Sequence, residues 1–174
     1  MQANVKSDVH PVSGAAAPAP GRGSDGEPLT GLELGAWRGL LMAHAAMTRR
    51  LDAELRGRHG IGLSSYEALM LVGTSETGRM RVSELSRGAL LSVSGVSRMI
   101  DRLTREGLVR REACEEDGRG AEVTLTPTGR GVLRAARGTH LAGVRAEFLG
   151  RFDDDELERL AGMWERITPP GGEA

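Results

Sequence analysis

Ser92-Val93-Ser94-Gly95-Val96-Ser97-Arg98-Met99-Ile100-Asp101-Arg102-Leu103-Thr104-Arg105-Glu106-Gly107 reads as a helix carrying its own start and stop. A serine at the first position can accept from the free amides of the opening turn, and Gly107 supplies the left-handed residue on which helices often end. Val96, Met99 or Ile100, and Leu103 recur at steps of three and four, so they form one apolar stripe. The opposite face then holds Ser94, Ser97, Arg98, Asp101, Arg102 and Arg105. Upstream, Ser83 after Val82 can cap a short helix from Glu84 to about Leu90. Only a few residues join the two, which is the spacing of a helix-turn-helix.

Working outward, the period drops towards two after Gly107. Leu108 to Arg111 and Glu122 to Thr126 read as short strands, and Asp117-Gly118 and Arg119-Gly120 are turn dipeptides between them, so a hairpin is expected. Thr126-Pro127 places a cap before a proline at the first helical position. The helix that follows carries Leu133, His140, Leu141, Val144 and Phe148 and breaks at Gly150. Phe152-Asp153 with Glu156-Leu157 matches a staple and capping box for a last helix, with Leu157, Leu160, Ala161, Trp164 and Ile167 on one face before Pro169-Pro170. In the other direction, Ser64-Ser65-Tyr66-Glu67 matches a second capping box, stapled by Leu63, for a helix bearing Leu69, Met70 and Val72 that Gly73 ends. Before it, Leu34, Trp37, Leu41, His44, Thr48, Leu51 and Leu55 lie on one stripe of a long helix that stops between Gly57 and Gly62. Residues 1–30 hold four of the seven prolines and little to bury, so they read as a disordered tail.

With 174 residues the chain suits one domain and a tail. No apolar run approaches the length of a membrane span and no secretory leader is readable, so no membrane partner and a cytoplasmic location are expected. The net charge of −1 hides a segregation: between Arg79 and Arg111 eight arginines face three acids, while Asp153 to Glu156 is an acidic run. Lys6 is the single lysine, so every cation of the folded part is a guanidinium and no Gly-Lys phosphate loop can be written. Cys114 is the one cysteine, which excludes an internal disulfide. The four histidines are scattered without metal-ligand spacing, and no Gly-x-Ser-x-Gly elbow exists, so no catalytic residue, metal or cofactor is expected and the protein is read as no enzyme.

The serine and arginine face of residues 92–105 reads in two ways. It is a solvated helix face, or a surface that approaches double-stranded DNA closely, offering hydroxyls to phosphates and a guanidinium to guanine. Its place as the second helix of a tight pair, inside the net-basic block and ahead of a hairpin tipped by Arg119, favours the second. An arginine at such a tip suits a narrow minor groove. Asp117 is either a turn former or the group that holds an arginine at the base of the hairpin.

Val82-Ser83-Glu84-Leu85, the run from Leu91 to Leu103, Gly107 to Arg111, Asp117-Gly118-Arg119 and Thr124-Leu125-Thr126-Pro127-Thr128-Gly129 together resemble the MarR family of bacterial transcription regulators, over about Leu32 to Ile167. The resemblance implies a mainly α fold with a small β-hairpin wing: a winged helix-turn-helix domain at 31–168, with a DNA-binding lobe at about 63–126 and helical dimerisation segments at about 32–57, 127–149 and 153–167, then a short tail at 169–174. It implies a homodimer on a pseudo-palindromic operator, acting as a ligand-responsive repressor. Carried over by position, Ser92, Ser94, Ser97, Arg98, Arg102 and Arg119 fall among the DNA contacts, and Asp117 takes the wing-bracing carboxylate. Leu34, Leu141, Val144, Phe148, Leu157, Leu160, Trp164 and Ile167 fall at the dimer interface. A small aromatic or phenolic effector is implied between the dimer helices and the lobe, where Trp37, His44, Tyr66 and Met70 are candidate lining residues. The alternatives are a redox-responsive regulator using Cys114 and a helical small-molecule-binding protein that does not bind DNA.

Overall fold

The computed structural model describes residues 26–88, 93–113 and 121–168. Ser92, Cys114, Asp117 and Arg119, the first 25 residues and the last six lie outside the described residues. The elements run α1 (Gly31–His59), α2 (Leu63–Thr74), β1 (Arg79–Arg81), α3 (Val82–Gly88), α4 (Val93–Arg105), β2 (Val109–Ala113), β3 (Ala121–Leu125), α5 (Pro127–Glu147), a single 3-10 turn (Leu149–Arg151) and α6 (Asp154–Glu165). Mainly helical, with a small antiparallel sheet, this is a winged helix-turn-helix architecture.

Several element ends follow directly from local chemistry. Thr30 and Glu33 form a reciprocal box at the start of α1, and α1 stops where Gly60 turns left-handed at φ +70°. The Thr126 hydroxyl accepts from the Gly129 amide at 2.9 Å while donating to the Gly107 carbonyl at 2.7 Å, so one side chain starts α5 and ties it to the end of the preceding turn. Asp153 and Glu156 make the expected box at α6.

The start of α2 differs from the sequence reading. Ser64 caps nothing: the helix begins at Leu63, behind Gly62, which has no side chain to offer. Asp52 of α1 supplies the acceptor instead, taking the Leu63 amide at 2.9 Å. Arg56 donates to the same carboxyl at 2.6 Å and, with the Leu63 amide, holds it below the usual carboxylate range against the opposing effect of burial. A tertiary acceptor eleven residues upstream has displaced the local box. Gly73 likewise does not end α2, which continues to Thr74.

The sheet also exceeds the expected hairpin. Its order is β1-β3-β2, with Arg79 opposite Thr124 and Val109 opposite Leu125. Three residues are too few for alternation to register in the sequence, so β1 becomes visible only through its pairing with β3. The short α3 starts at Val82, where the Glu84 carboxylate accepts the Arg81 amide at 2.9 Å.

The core gathers Leu55 of α1, Tyr66, Leu69 and Val72 of α2, Leu85 of α3, Val96, Ile100 and Leu103 of α4, Val123 of β3 and Ala136 of α5. The stripe expected along all of α1 is buried only at its C-terminal end. Leu55 is inaccessible and Leu51 packs against the core, whereas Leu34, Trp37, Leu41 and His44 are exposed. At about 1.5 Å per residue α1 is roughly 44 Å long. It meets α5 through Arg50 with Glu147 and His59 with Thr139, so its N-terminal half extends beyond the lobe.

Two glycines mark where α5 approaches other elements closely. A Cβ at Gly129 would lie 1.9 Å from the Leu108 carbonyl oxygen, a backbone atom that cannot step aside. At Gly143 it would meet the end of the Leu51 side chain at 2.5 Å. Gly129→Ala is expected to destabilise by about 3 kcal/mol, lowering Tm by roughly 6–12 °C, and Gly143→Ala by clearly less, because Leu51 can rotate. Thermal unfolding of both variants by circular dichroism checks this; equal losses would contradict the distinction.

Candidate nucleic-acid interface

Helix α4 buries Val96, Met99, Ile100 and Leu103, which fixes its rotation about its own axis. Each such side chain removed from water contributes about 1.5–3 kcal/mol, so turning the helix to hide its other face would forfeit several of them. Ser94, Arg98, Asp101 and Arg105 are exposed, and Ser97 is half-buried at the edge. These residues form a stripe along about three turns.

The charges on that stripe are not equivalent. Asp101 accepts from Arg111 of β2 at 3.1 Å, so the acid on the face is neutralised by the wing strand. Among the described residues nothing engages the Arg98 guanidinium, which stands exposed on the first half of the helix. Arg105 is exposed two turns further on. Arg102 behaves differently from its neighbours. It folds back to donate to the Ser65 hydroxyl at 2.5 Å and lies 3.8 Å from Glu106. Behind the face, Arg79 lies 3.7 Å from Glu122 across β1 and β3. Of the other expected DNA-facing residues, Ser92 and Arg119 lie outside the described residues, as does Asp117.

The four candidate effector residues are scattered. Tyr66 is 2% exposed and belongs to the core, with its ring 4.5 Å from that of His140 on α5. Trp37 and His44 are exposed on α1, and Met70 is at the surface of α2. A hollow of about 310 Å³ lies elsewhere, between Ala43, Ala46 and Met47 of α1 and Phe148 and Phe152, with Arg50, Glu147 and Arg151 at its edge. None of the four lines it. The expected interface residues divide into exposed ones, Leu34, Leu141, Trp164 and Ile167, and half-buried ones, Val144, Phe148, Leu157 and Leu160.

His140 was legible only as part of the α5 stripe, yet its setting is unusual. Its Nδ1 is buried without a hydrogen-bond partner among the described residues. Burial lowers the His140 pKa and raises that of Tyr66, the latter opposed by Arg137. Burial likewise raises Glu67, opposed by His44.

Residues 59–120, the span from the end of α1 through the helix pair to the wing, match the sequence profile of the MarR family. The structure of AbsC, a MarR family transcriptional regulator from Streptomyces coelicolor, is 33% identical to this chain, superposes with a TM-score of 0.75, and is covered over 94% of its length by 83% of this chain. The chain belongs to the MarR family. A second MarR family regulator from Streptomyces coelicolor, Sco3205, solved in complex with DNA, is 30% identical with a TM-score of 0.76, over 80% of this chain and 91% of its own. The HTH-type transcriptional repressor YetL of Bacillus subtilis (strain 168) is 23% identical over 70% of this chain and 74% of its own. As a MarR family transcriptional regulator, the protein joins a family of regulators and not of enzymes. Among the described residues no helix is long and apolar enough to cross a membrane.

The environment of His140 gives a pH prediction for this MarR family member. Its folded pKa lies below the unfolded value of about 6.5, so the unfolded chain binds the proton more readily. Its contribution is complete above that pH and is lost as pH falls through the folded value. Tm of the wild-type protein is expected to fall as pH drops below about 6.5, and His140→Phe to flatten that part of the profile. Parallel profiles for the two proteins would show that His140 does not titrate in this way.

Proposed function

We propose that the protein is a homodimeric, sequence-specific DNA-binding transcriptional regulator, most simply a repressor, whose α4 enters the major groove. The observation that carries this reading is the division of α4 into a fully buried apolar stripe and an exposed face bearing Arg98. A guanidinium there is free to pair with the O6 and N7 of guanine, with Ser94 and Ser97 beside it for phosphate or base-edge contacts. Ser92 and Arg119 are assigned to the same DNA contact and Asp117 to bracing the wing, by their positions in the sequence. Sco3205, similar over most of the chain, was crystallised with DNA, and YetL is named a repressor, which supports both parts of the reading.

Homodimerisation is supported by apolar surface that this chain leaves uncovered. None of the twelve residues of α6 is fully buried within the chain, Leu157 and Leu160 being half-buried, and isolated helices of that length are marginal in water. Trp164 is 38% exposed and Ile167 68%, while Leu32, Leu34, Trp37 and Leu41 project from the N-terminal half of α1. Surface of this kind at both ends of a helical region suits a twofold interface in which each chain covers the other. A symmetric dimer then requires half-sites about one helical turn apart on the operator. Tyr66 is committed to the core, so the proposal rests on the DNA-facing side and not on an effector.

Arg98→Ala is expected to cost about 1–3 kcal/mol on the operator, roughly 5- to 150-fold in Kd, and to blur preference at one base pair of each half-site. Gel retardation with the segment protected upstream of the gene, against single-base variants of it, measures this; an unchanged preference would remove the guanine contact. Trp164→Ala is expected to shift sedimentation towards the monomer, and an unaltered dimer would withdraw α6 from the interface.

A further inference from the structure

Arg102 sits on the recognition helix, within the net-basic block, one residue from the exposed stripe. A sequence reading naturally spends it on phosphate. The structure gives it a different occupation. Its Nη2 donates to the hydroxyl of Ser65, which is 2% exposed, at the start of α2, and its Nε lies 3.8 Å from Glu106 just past the end of α4. Ser65 and Arg102 are 37 residues apart in the chain. The bond therefore ties two helices that the core alone holds by non-directional contacts. Apolar packing between α4 and its neighbours tolerates small rotations and slides, whereas a hydrogen bond from a planar guanidinium to a buried hydroxyl fixes both distance and direction.

We propose that Arg102 is a positioning residue that sets the angle of α4 through Ser65 and does not itself contact DNA. The inference rests on the DNA-binding reading above and names which arginine of the face works from behind it. Ser65 is followed by Tyr66, whose ring lies against His140. Consecutive residues of α2 thus engage the recognition helix on one side and α5 on the other. Arg102 is the α4 end of that connection. A side chain held in this way orients Arg98, one turn earlier, towards the groove without neutralising a phosphate itself.

The test compares the full-length wild-type protein with Ser65→Ala, Arg102→Ala and the double variant. Each is titrated against a duplex carrying the operator and a non-specific duplex of equal length, at several salt concentrations, and Tm is measured in parallel. Both single variants are expected to weaken operator binding about tenfold, and the double variant no further, because each removes the same bond. Non-specific affinity, and the slope of log K against log salt, should stay at the wild-type values, since no phosphate contact is lost. A slope reduced by about one in Arg102→Ala with Ser65→Ala silent would make Arg102 a phosphate contact and overturn the proposal. Equal losses on both duplexes accompanied by a lowered Tm would reduce the pair to a merely structural one and overturn it as well. If Arg102→Ala fails to fold, Ser65→Ala decides alone: reduced operator affinity with an unchanged slope supports the proposal, and wild-type affinity refutes it. Wild-type protein that selects no sequence at all would overturn the DNA-binding reading, and this inference with it.

Discussion

Helix α2 is buried at Leu63, Ser65, Tyr66, Ala68, Leu69 and Val72, and α1, α3, α5 and the sheet all rest against it. A helix surrounded in this way cannot leave its polar groups to water, and each one brought inside has to find a partner or carry a cost. Its first amide is taken by Asp52 of α1, and its Ser65 hydroxyl receives Arg102 of α4. Of the surrounding helices, α1 and α4 are therefore fixed to α2 by directional bonds as well as by apolar burial. This explains how a core built largely of interchangeable leucines and valines can still hold the α4 stripe at one orientation.

The two ends of the molecule are held by different means. In the lobe, α3, α4 and the sheet share a core with inaccessible leucine, valine and isoleucine, so its geometry is set within one chain. Beyond the lobe, α1 runs on into solvent and α6 stands with its apolar side only partly covered, Leu157 and Leu160 half-buried and Met163 and Trp164 exposed. Burial contributes about 25 cal/mol per Å² removed from water, and that contribution is not realised at this end by a single copy. The lobe and the exposed end are joined through α1, whose Leu55 lies in the core, and through α5. Its first turn abuts Leu108 at Gly129, and its later turns meet α1 at Gly143.

Much of the fold was legible because its signals are local. Thr126 with Pro127, Asp153 with Glu156, and Gly107 at φ +70° each determine an element end within four residues, and all three stand where the sequence places them. The inward face through Val96 and Leu103 was equally readable from the 3.6 period, which left Met99 and Ile100 as alternatives; the structure buries both. The box at Thr30 and Glu33 carries the same signal and could have been found in the same way. The readings that differ are those in which a distant group outcompeted a local one. Ser64 lost its cap to Asp52, and β1 needed β3 to become a strand. The α1 stripe was readable as a stripe, but periodicity does not say that only its C-terminal end is covered by its own chain.

By itself, the sequence determined that a short helix and a second, serine- and arginine-faced helix lie in tandem ahead of two strands, because capping groups and apolar periodicity act over a few residues and need no partner. Only the tertiary structure decided which arginine of that face is engaged by another helix, for the Arg102 side chain, though bonded to Ser65, keeps 43% of its surface exposed. Arg98 and Arg102 are four apart on one helix and chemically identical, and within their own segment only the 3.8 Å approach of Glu106 to Arg102, longer than a hydrogen bond, distinguishes them. The difference is made by Ser65, brought beside Arg102 by the packing of α2 and leaving a buried hydroxyl to be satisfied. A hydrogen bond across 37 residues of sequence exists only after the chain has folded.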